Sequence, residues 1–378
     1  MSKQSKKLPL PIISNNVENK KGLMTFTINN TNVSIANALR RTILADIEVV
    51  CLKTGPYTEN LITFYKNTSR FNNEILKHRL SCIPVHIKQY SENLENLLLE
   101  VNEVNTESSV KYITTADFKI KDIKTDKYLS DTDVKKIFPP DPITKDFILF
   151  TRLKPKITDN IPGEELHFTC KFSKSTAGKE GEFNIVSTCA YGNTPDIVKQ
   201  NNVWDDIEEQ LTKNSISKSK IDYEKINWFN HDAKRHFKDN SFDFIIESIG
   251  VYSNVQIINL ACQSIIDRNN RLHDLFNNEN ILVKKNVVNI KNSFDIILEG
   301  IDYTIGKALE YILHYEYFKN QKIFNYVGFL KAHPHDTNSI IRIAFIDEKK
   351  SNITNINEIF KHSIEISNQI FKNIAEYF

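Results

Sequence analysis

Cysteine is scarce and dispersed. Cys51, Cys82, Cys170, Cys189 and Cys262 are five in number, lie far apart and include no CxxC pair. An odd, scattered set excludes a disulfide framework, argues against a zinc ribbon and fits a reducing compartment. An excess of one charge is missing too. Against 49 basic residues stand 47 acidic ones, and the resulting formal charge of +2 leaves no global positive field for nucleic acid. Nowhere do about 18 apolar residues follow one another, so no conventional membrane-spanning helix is expected. Met1 to Lys7 is polar and basic but leads into Leu8-Pro9-Leu10-Pro11, too short and broken for a signal-peptide core. The expectation is a soluble, intracellular protein. Glycine (10) and proline (11) are few while Asn, Ile and Lys abound. A/T-rich codons produce that bias, which speaks of a genome and not of a function.

What is present is ordinary for a globular chain: 378 residues, 40% hydrophobic and 25% charged, enough for two or three domains. Self-similarity organises them. In residues 24–30 Met24, Phe26 and Ile28 share one face of an alternating strand, followed by the turn Thr31-Asn32. A helical stretch from Val33 to Asp46 then carries Ile35, Ala38, Leu39, Thr42 and Ile43 on one stripe. At an offset of 270 residues Phe294, Ile296 and Leu298 alternate in the same phase, Gly300-Ile301-Asp302 replaces the turn, and Ile305, Ala308, Leu309, Ile312 and Leu313 repeat the stripe.

A second repeat has an offset of 98. The strand-like run 242–249, the cap Ser253-Asn254 and the helix face Val255, Ile258, Cys262, Ile266, Leu272 and Phe276 reappear as 340–346, Ser351-Asn352, and Ile353, Ile356, Phe360, Ile364, Ile370 and Ile374. Together the offsets imply one strand-helix, strand-helix unit present twice, with about 172 extra residues inside the first copy. A duplicated unit predicts a pseudo-twofold pairing of its helices. The expected interface is Ile35, Leu39, Ile43, Val255, Ile258, Cys262, Ile265, Ile305, Leu309, Ile312, Ile356, Phe360 and Ile364. Asn269 is the polar exception on its helix, either buried to fix register or exposed to solvent.

The inserted region is β-rich. Strand-like runs occupy 51–65, Val85 to Lys88, Leu97 to Val101, Phe147 to Leu153 and Glu165 to Phe172, with a short helix from Asn72 to Leu80 and a proline-rich bend at 138–142. A Lys- and Asn-rich stretch, 196–240, reads as a surface helix and a long loop. The fold class is therefore α+β. The expected domains are 1–50 with 186–280, an inserted 51–185, and 281–378.

Asn37-Ala38-Leu39-Arg40-Arg41-Thr42-Ile43-Leu44, then 71–80 with Ile83-Pro84, resembles the alpha-like assembly subunits of multisubunit DNA-dependent RNA polymerase, the family of bacterial alpha, archaeal D and the eukaryotic third-largest subunit. Gly178-Lys179-Glu180 with Phe183, Val186, Tyr191 and Pro195 resembles the same family's loop returning from the insert. Tyr303-Thr304-Ile305-Gly306, Ala308-Leu309 and 327–343 resemble the smaller partner, archaeal L or the eleventh eukaryotic subunit. The resemblance implies a fusion of both partners into an intramolecular pseudo-dimer, as in large DNA viruses, which suits the codon bias and a virion or host-cell location. It implies a non-catalytic subunit that nucleates assembly by docking the largest and second-largest subunits, with small zinc-binding subunits nearby, DNA and RNA met only through the complex, and no membrane. Asn37, Arg40, Arg41, Glu74, His78, Arg79, Lys179 and Glu180 are the partner-binding residues it implies. Adjacent arginines lie about 100° apart on a helix, so at least one of Arg40 and Arg41 projects outward, where planar forks suit carboxylates or carbonyls. At the equivalent places of the second half stand Glu310 and Tyr311. Some members of the family hold a metal cluster on cysteines in the insert, but between Cys82 and Cys170 there is none here, so no cofactor or metal is expected.

The same residues offer no catalytic constellation. His231 and His236, five apart, fall on different faces of a helix. His333-Pro334-His335-Asp336 reads as a turn. Gly178-Lys179 lacks the rest of a phosphate loop, and neither GxSxG nor a Ser-His-Asp set occurs. A pseudo-dimeric interaction scaffold outside transcription is the principal alternative, and a hydrolase using the scattered histidines a weaker one.

Overall fold

The computed structural model describes residues 8–19, 22–87, 94–158, 161–278, 281–286 and 290–378. The chain forms two compact units: the first takes residues up to Ile43, Thr188–Glu247 and Asn254–Phe378, the second Leu44–Ser187 and Ser248–Ser253. Strands β1 (Ile12–Glu18) and β2 (Leu23–Asn29) lead into helix α1 (Val33–Ala45). Then come β3 (Glu48–Cys51), β4 (Ile62–Asn67), α2 (Asn73–Ser81), β5 (Leu97–Val104), β6 (Lys111–Thr114), β7 (Lys119–Asp122), β8 (Lys127–Tyr128), α3 (Asp131–Ile137), β9 (Leu149–Leu153), β10 (Glu165–Lys171) and β11 (Ser173–Thr176). The chain returns through β12 (Val186–Pro195), α4 (Ile197–Lys213), α5 (Lys218–Asn230), β13 (Phe237–Ser248) and α6 (Asn254–Asn277). It ends with β14 (Leu282–Asn286), β15 (Ser293–Glu299), α7 (Tyr303–Leu313), a π-helical continuation at His314–Asn320, β16 (Phe324–Leu330), β17 (Asn338–Phe345) and α8 (Ile353–Ala375). The architecture is α+β.

The first unit contains the two halves of the repeat. Each half has a four-stranded sheet with the same arrangement, β1-β2-β13-β12 in one and β14-β15-β17-β16 in the other. The 270-residue offset maps β2 onto β15 and the start of α1 onto the start of α7 without a slip. The second offset needs a correction. Phe26 pairs with Phe244, and its counterpart Ile296 pairs with Ile341, which makes the strand offset 97 and not 98. Side chains alternate along a strand, so a one-residue slip reverses the faces. At 98 the buried Phe244 would align with Arg342, which is instead half-buried and bound to Asp295 by two bonds of 2.6 and 2.8 Å. The odd residue is absorbed between strand and helix.

In the helices the 98-residue offset holds. Asn269 of α6 meets its counterpart Ser367 of α8, its Nδ2 donating to the hydroxyl at 2.9 Å. Seven residues further along α6, Phe276 stacks on Phe360, seven residues back along α8, with centroids 5.0 Å apart. The helices are therefore antiparallel, and the local pseudo-twofold passes through the Asn269–Ser367 contact. A second pair of counterparts joins there, Asn368 Nδ2 donating to Asn270 Oδ1 at 2.8 Å. At the sheet of the first half, Phe26 stacks on Phe244 and meets the ring of Phe378 edge-on at 5.0 Å.

The second unit is built on the sheet β4-β10-β5-β7-β8, with the ribbons β6-β9 and β11-β3 beside it. Its core gathers Leu76, Leu80, Leu99, Val101, Phe150 and Phe168, all at or near zero exposure. Three features depart from the sequence expectation. Val85–Ile87 is irregular and Lys88 lies outside the described residues. A helix, α3, follows Ser130, whose hydroxyl accepts the Asp133 N–H. In the first unit, the expected surface helix and loop of 196–240 is a pair of helices, α4 and α5, because Gln200 ties the start of α4 to the Ala233 and His236 carbonyls and Trp204 is buried under α5.

Candidate interaction surfaces

Twelve of the thirteen residues expected at the interface of the halves are buried: Ile35, Leu39, Ile43, Ile258, Cys262, Ile265, Ile305, Leu309, Ile312, Ile356, Phe360 and Ile364. Val255 is only half-buried, and Ile257 takes the buried position in that turn of α6. A one-residue error of this kind arises because the stripe on a helix is wider than any single heptad pattern. Asn269 is wholly buried; beyond Ser367 it donates to Asn368 Oδ1 at 3.0 Å. Burial pushes the Cys262 thiol up to about 12, so it behaves as a small apolar side chain.

Arg40 and Arg41 part company. Arg40 folds back along α1, its Nε and Nη2 both donating to Asn37 Oδ1 at 3.2 and 2.9 Å, and it stays half-buried. Nearby, burial pushes the Cys189 thiol up to about 12, with Arg40 opposing. Arg41, expected to face an outside partner, has partners within the chain. Its Nε donates to Thr304 Oγ1 at 2.9 Å and its Nη2 to Asp302 Oδ2 at 3.1 Å. Arg268 of α6 donates to the other oxygen of Asp302, also at 3.1 Å. Asp302 is the N-cap of α7, accepting the Thr304 N–H at 3.1 Å. Burial of this carboxyl resists ionisation, but Arg268, the Thr304 hydroxyl and Arg41 prevail and hold it below the usual carboxylate range. Sequence alone did not bring these three together: Asp302 stood only as part of a turn, Arg41 as facing a partner, and Arg268 was not singled out. The signal was there: the repeat sets Asp302 against Asn32, which caps α1 by accepting the Ser34 N–H at 2.9 Å, so a charge had changed at a matched position.

At the counterparts of Arg40 and Arg41 the chemistry differs. Glu310 is occupied by the Phe329 N–H at 3.0 Å and by Lys307 at 2.6 Å. Tyr311 is half-buried, and burial raises its phenol to about 12. Gly306 explains the close approach of β16: a Cβ there would lie 2.1 Å from the Phe329 ring.

In the second unit, Glu74 and His78 are exposed on α2, Glu74 holding Lys77 at 3.0 Å. Arg79 was expected at a partner, but it donates to the Phe150 and Leu149 carbonyls at 2.6 Å each and ties α2 to β9. Lys179 is exposed in the turn after β11. Glu180 stands 3.9 Å from Lys53, a buried lysine bound to Glu59. The hydrogen bond to Glu59 raises the Lys53 ammonium above its ordinary range against the effect of burial, and Glu180 adds to the rise. Glu180 therefore also serves its own unit. An open cleft of the second unit is lined by Lys66, Thr68, Asn105, Lys156 and Glu165 among others, and its Lys66 and Glu165 are paired with each other. His333–Asp336 forms the expected turn, with the Asp336 N–H donating to the His333 carbonyl at 3.0 Å. Among the described residues no three His, Cys, Asp or Glu stand together as a metal site, and no helix is long and apolar enough to cross a membrane.

A model of the RNA polymerase Rpb3/Rpb11 dimerisation domain matches residues 25–268, well over half of the chain. The chain belongs to that family. The match runs from β2 to α6 and includes the inserted unit, while the second half of the repeat lies beyond it. Relatives similar to the chain include DNA-directed RNA polymerase subunit Rpo3 of Pyrococcus horikoshii, 32% identical over 32% of this chain and 42% of the relative. DNA-directed RNA polymerase II subunit rpb3 of Dictyostelium discoideum is 35% identical over 18% of this chain and 20% of its own length. A conjugation stage-specific protein of Tetrahymena thermophila is 25% identical over 49% of this chain and 61% of its own. The matches thus span from a fifth to three fifths of these relatives.

Proposed function

We propose that the chain is a non-catalytic assembly subunit of a DNA-dependent RNA polymerase in which two family partners are fused, residues 281–378 being the smaller one, and that it nucleates the enzyme by docking the largest and second-largest subunits. The observation that carries this reading is the heterotypic pairing of two like-built halves, α6 on α8, in a chain of the Rpb3/Rpb11 family. The docking residues are Arg40 and Asn37 on α1 and the exposed Glu74, His78 and Lys179; Arg41, Arg79 and Glu180 act by holding the surfaces in shape. Because the faces around Arg40 and around Glu310 and Tyr311 are chemically unlike, each half selects a different large subunit. Small zinc-binding subunits join the same assembly, and nucleic acid is met only through it. The Asn, Ile and Lys bias supports a large DNA virus as the source, with the protein in the virion and the host cell.

The test is a pull-down of the tagged chain from its native source, with mass spectrometry of the proteins recovered. Two large polymerase chains in equal amount are expected, and Arg40→Ala should lose the second-largest one while melting normally, since a truncated interfacial charge costs about 2–5 kcal/mol. Recovery of neither large chain would overturn the reading. A scaffold outside transcription is the second reading, favoured by the Tetrahymena relative, whose name mentions conjugation and no polymerase. It expects partners unrelated to polymerase.

A further inference from the structure

The interface between the two halves is geometrically symmetric but electrically one-sided. Near the pseudo-twofold the contacts are neutral: Asn269 with Ser367, Asn270 with Asn368, Phe276 with Phe360. Away from it, Arg41 of α1 and Arg268 of α6, both from the first half, close on Asp302, the cap of α7 in the second. Among the described residues, the symmetry-related place has no such cluster. The offsets set Asn32 against Asp302, Tyr311 against Arg41 and Ile366 against Arg268, so the counterparts carry no charge at all.

We infer that Asp302, Arg41 and Arg268 are the specificity device that makes the first half choose the second and reject a copy of itself. Two first halves paired through the same seam would bring both copies of Arg41 and Arg268 against the neutral cap Asn32, so that all four guanidinium groups lose the carboxylate that Asp302 supplies. Two second halves would leave Asp302 without a cation. Only the mixed pair sets the arginines against an anion, and partly buried charges lose most when unpaired. Coupling the carboxylate to a helix cap adds direction: the oxygens that bind the arginines also accept the Thr304 N–H and hydroxyl, so the acceptor is fixed at the start of α7. The device operates whichever large chains the protein docks, so its test is separate from the pull-down above.

The experiment uses the full chain with a protease site in a lengthened linker between α6 and β14, cut after folding so that both fragments start out paired. A second chain carries the reversed set Arg41→Asp, Arg268→Asp and Asp302→Arg. Equal amounts of the two cut proteins are mixed, allowed to exchange in mild denaturant, returned to buffer and counted by native mass spectrometry. Matched fragments should exceed mismatched ones by about tenfold or more, equivalent to ~1.4 kcal/mol of preference. Equal amounts of the four possible pairs would overturn the inference. If the reversed chain does not fold, cut Asp302→Asn is compared with cut wild type instead, each diluted on its own until its fragments separate, since Asn also caps helices well. The substituted pair should separate at about threefold higher concentration than the wild-type pair, and equal dissociation would overturn the inference equally.

Discussion

The stack of Phe276 on Phe360 offers a quantitative check that the halves form one folding unit. Both side chains are wholly buried, and their rings lie 5.0 Å apart at an interplanar angle of 27°. Truncating a buried phenylalanine removes its transfer energy and leaves a cavity, which together cost about 3–5 kcal/mol. For a unit of this size each kcal/mol lowers the melting point by about 2–4 °C, so Phe360→Ala should lower it by roughly 6–20 °C. Phe276→Ala should do the same although it lies in the other half. The double variant decides the matter. Offset-stacked rings contribute about 0.5–1.5 kcal/mol beyond the area they bury, so the double loss should fall short of the sum of the singles by about that amount. The assay is urea unfolding followed by circular dichroism, with calorimetry to count transitions in the first unit. Strict additivity, or a variant in one half that leaves a separate, unshifted transition for the other, would refute a shared helix seam.

The same contacts set three further outcomes. Gly306→Ala should destabilise the second half by about 1–3 kcal/mol through overpacking against Phe329, and Phe329→Leu in the same chain should recover part of it in thermal melts. Asp302 has a folded-state pKa below its unfolded value near 3.8, so its contribution is present above that pH and is lost as pH falls through the folded value; the stability gap between wild type and Asp302→Asn, measured by urea midpoints, should stay flat near neutrality and close in acid. Residues 281–378 expressed alone should be poorly soluble, because Ile356, Phe360, Ile364 and Ile370 lose their cover, and coexpression of residues 1–280 should restore them; a soluble monomer in static light scattering, without that help, contradicts the paired arrangement.

How far the sequence could be read depended on whether a signal was periodic or conditional. The repeats were legible because buried faces impose a period, and the 270-residue offset matched helix start to helix start. The strand of the second repeat was misaligned by one residue because runs such as 340–346 are apolar on both faces, and only pairing with Asp295 reveals that Arg342 points outward. The ends of helices were partly visible: Ser130 before two aspartates announces α3, yet about two turns have too little period to stand out. Arg41 and Arg79 were conditional in the stronger sense. A guanidinium on an exposed-looking face serves whatever acceptor the fold brings to it, here Asp302 and two strand carbonyls, and no local pattern names an acceptor far away in the chain. Asn269 could be read both ways until its counterpart Ser367 was seen opposite it.

The contact of Phe26 with Phe378 joins β2 to a residue just past α8, far along the chain. A ribosome adding about 5–20 residues per second releases the first of these long before the second exists. The inserted unit, whose sheet and core are drawn largely from one continuous stretch of chain, is complete by then and can fold while still tethered. The first half cannot: its α6 face and its sheet await α8 and Phe378, with the loop-closure cost that distant contacts carry. Stalling or truncation before α8 is complete therefore leaves an apolar helix face uncovered on the nascent chain, a ready substrate for chaperones and proteases.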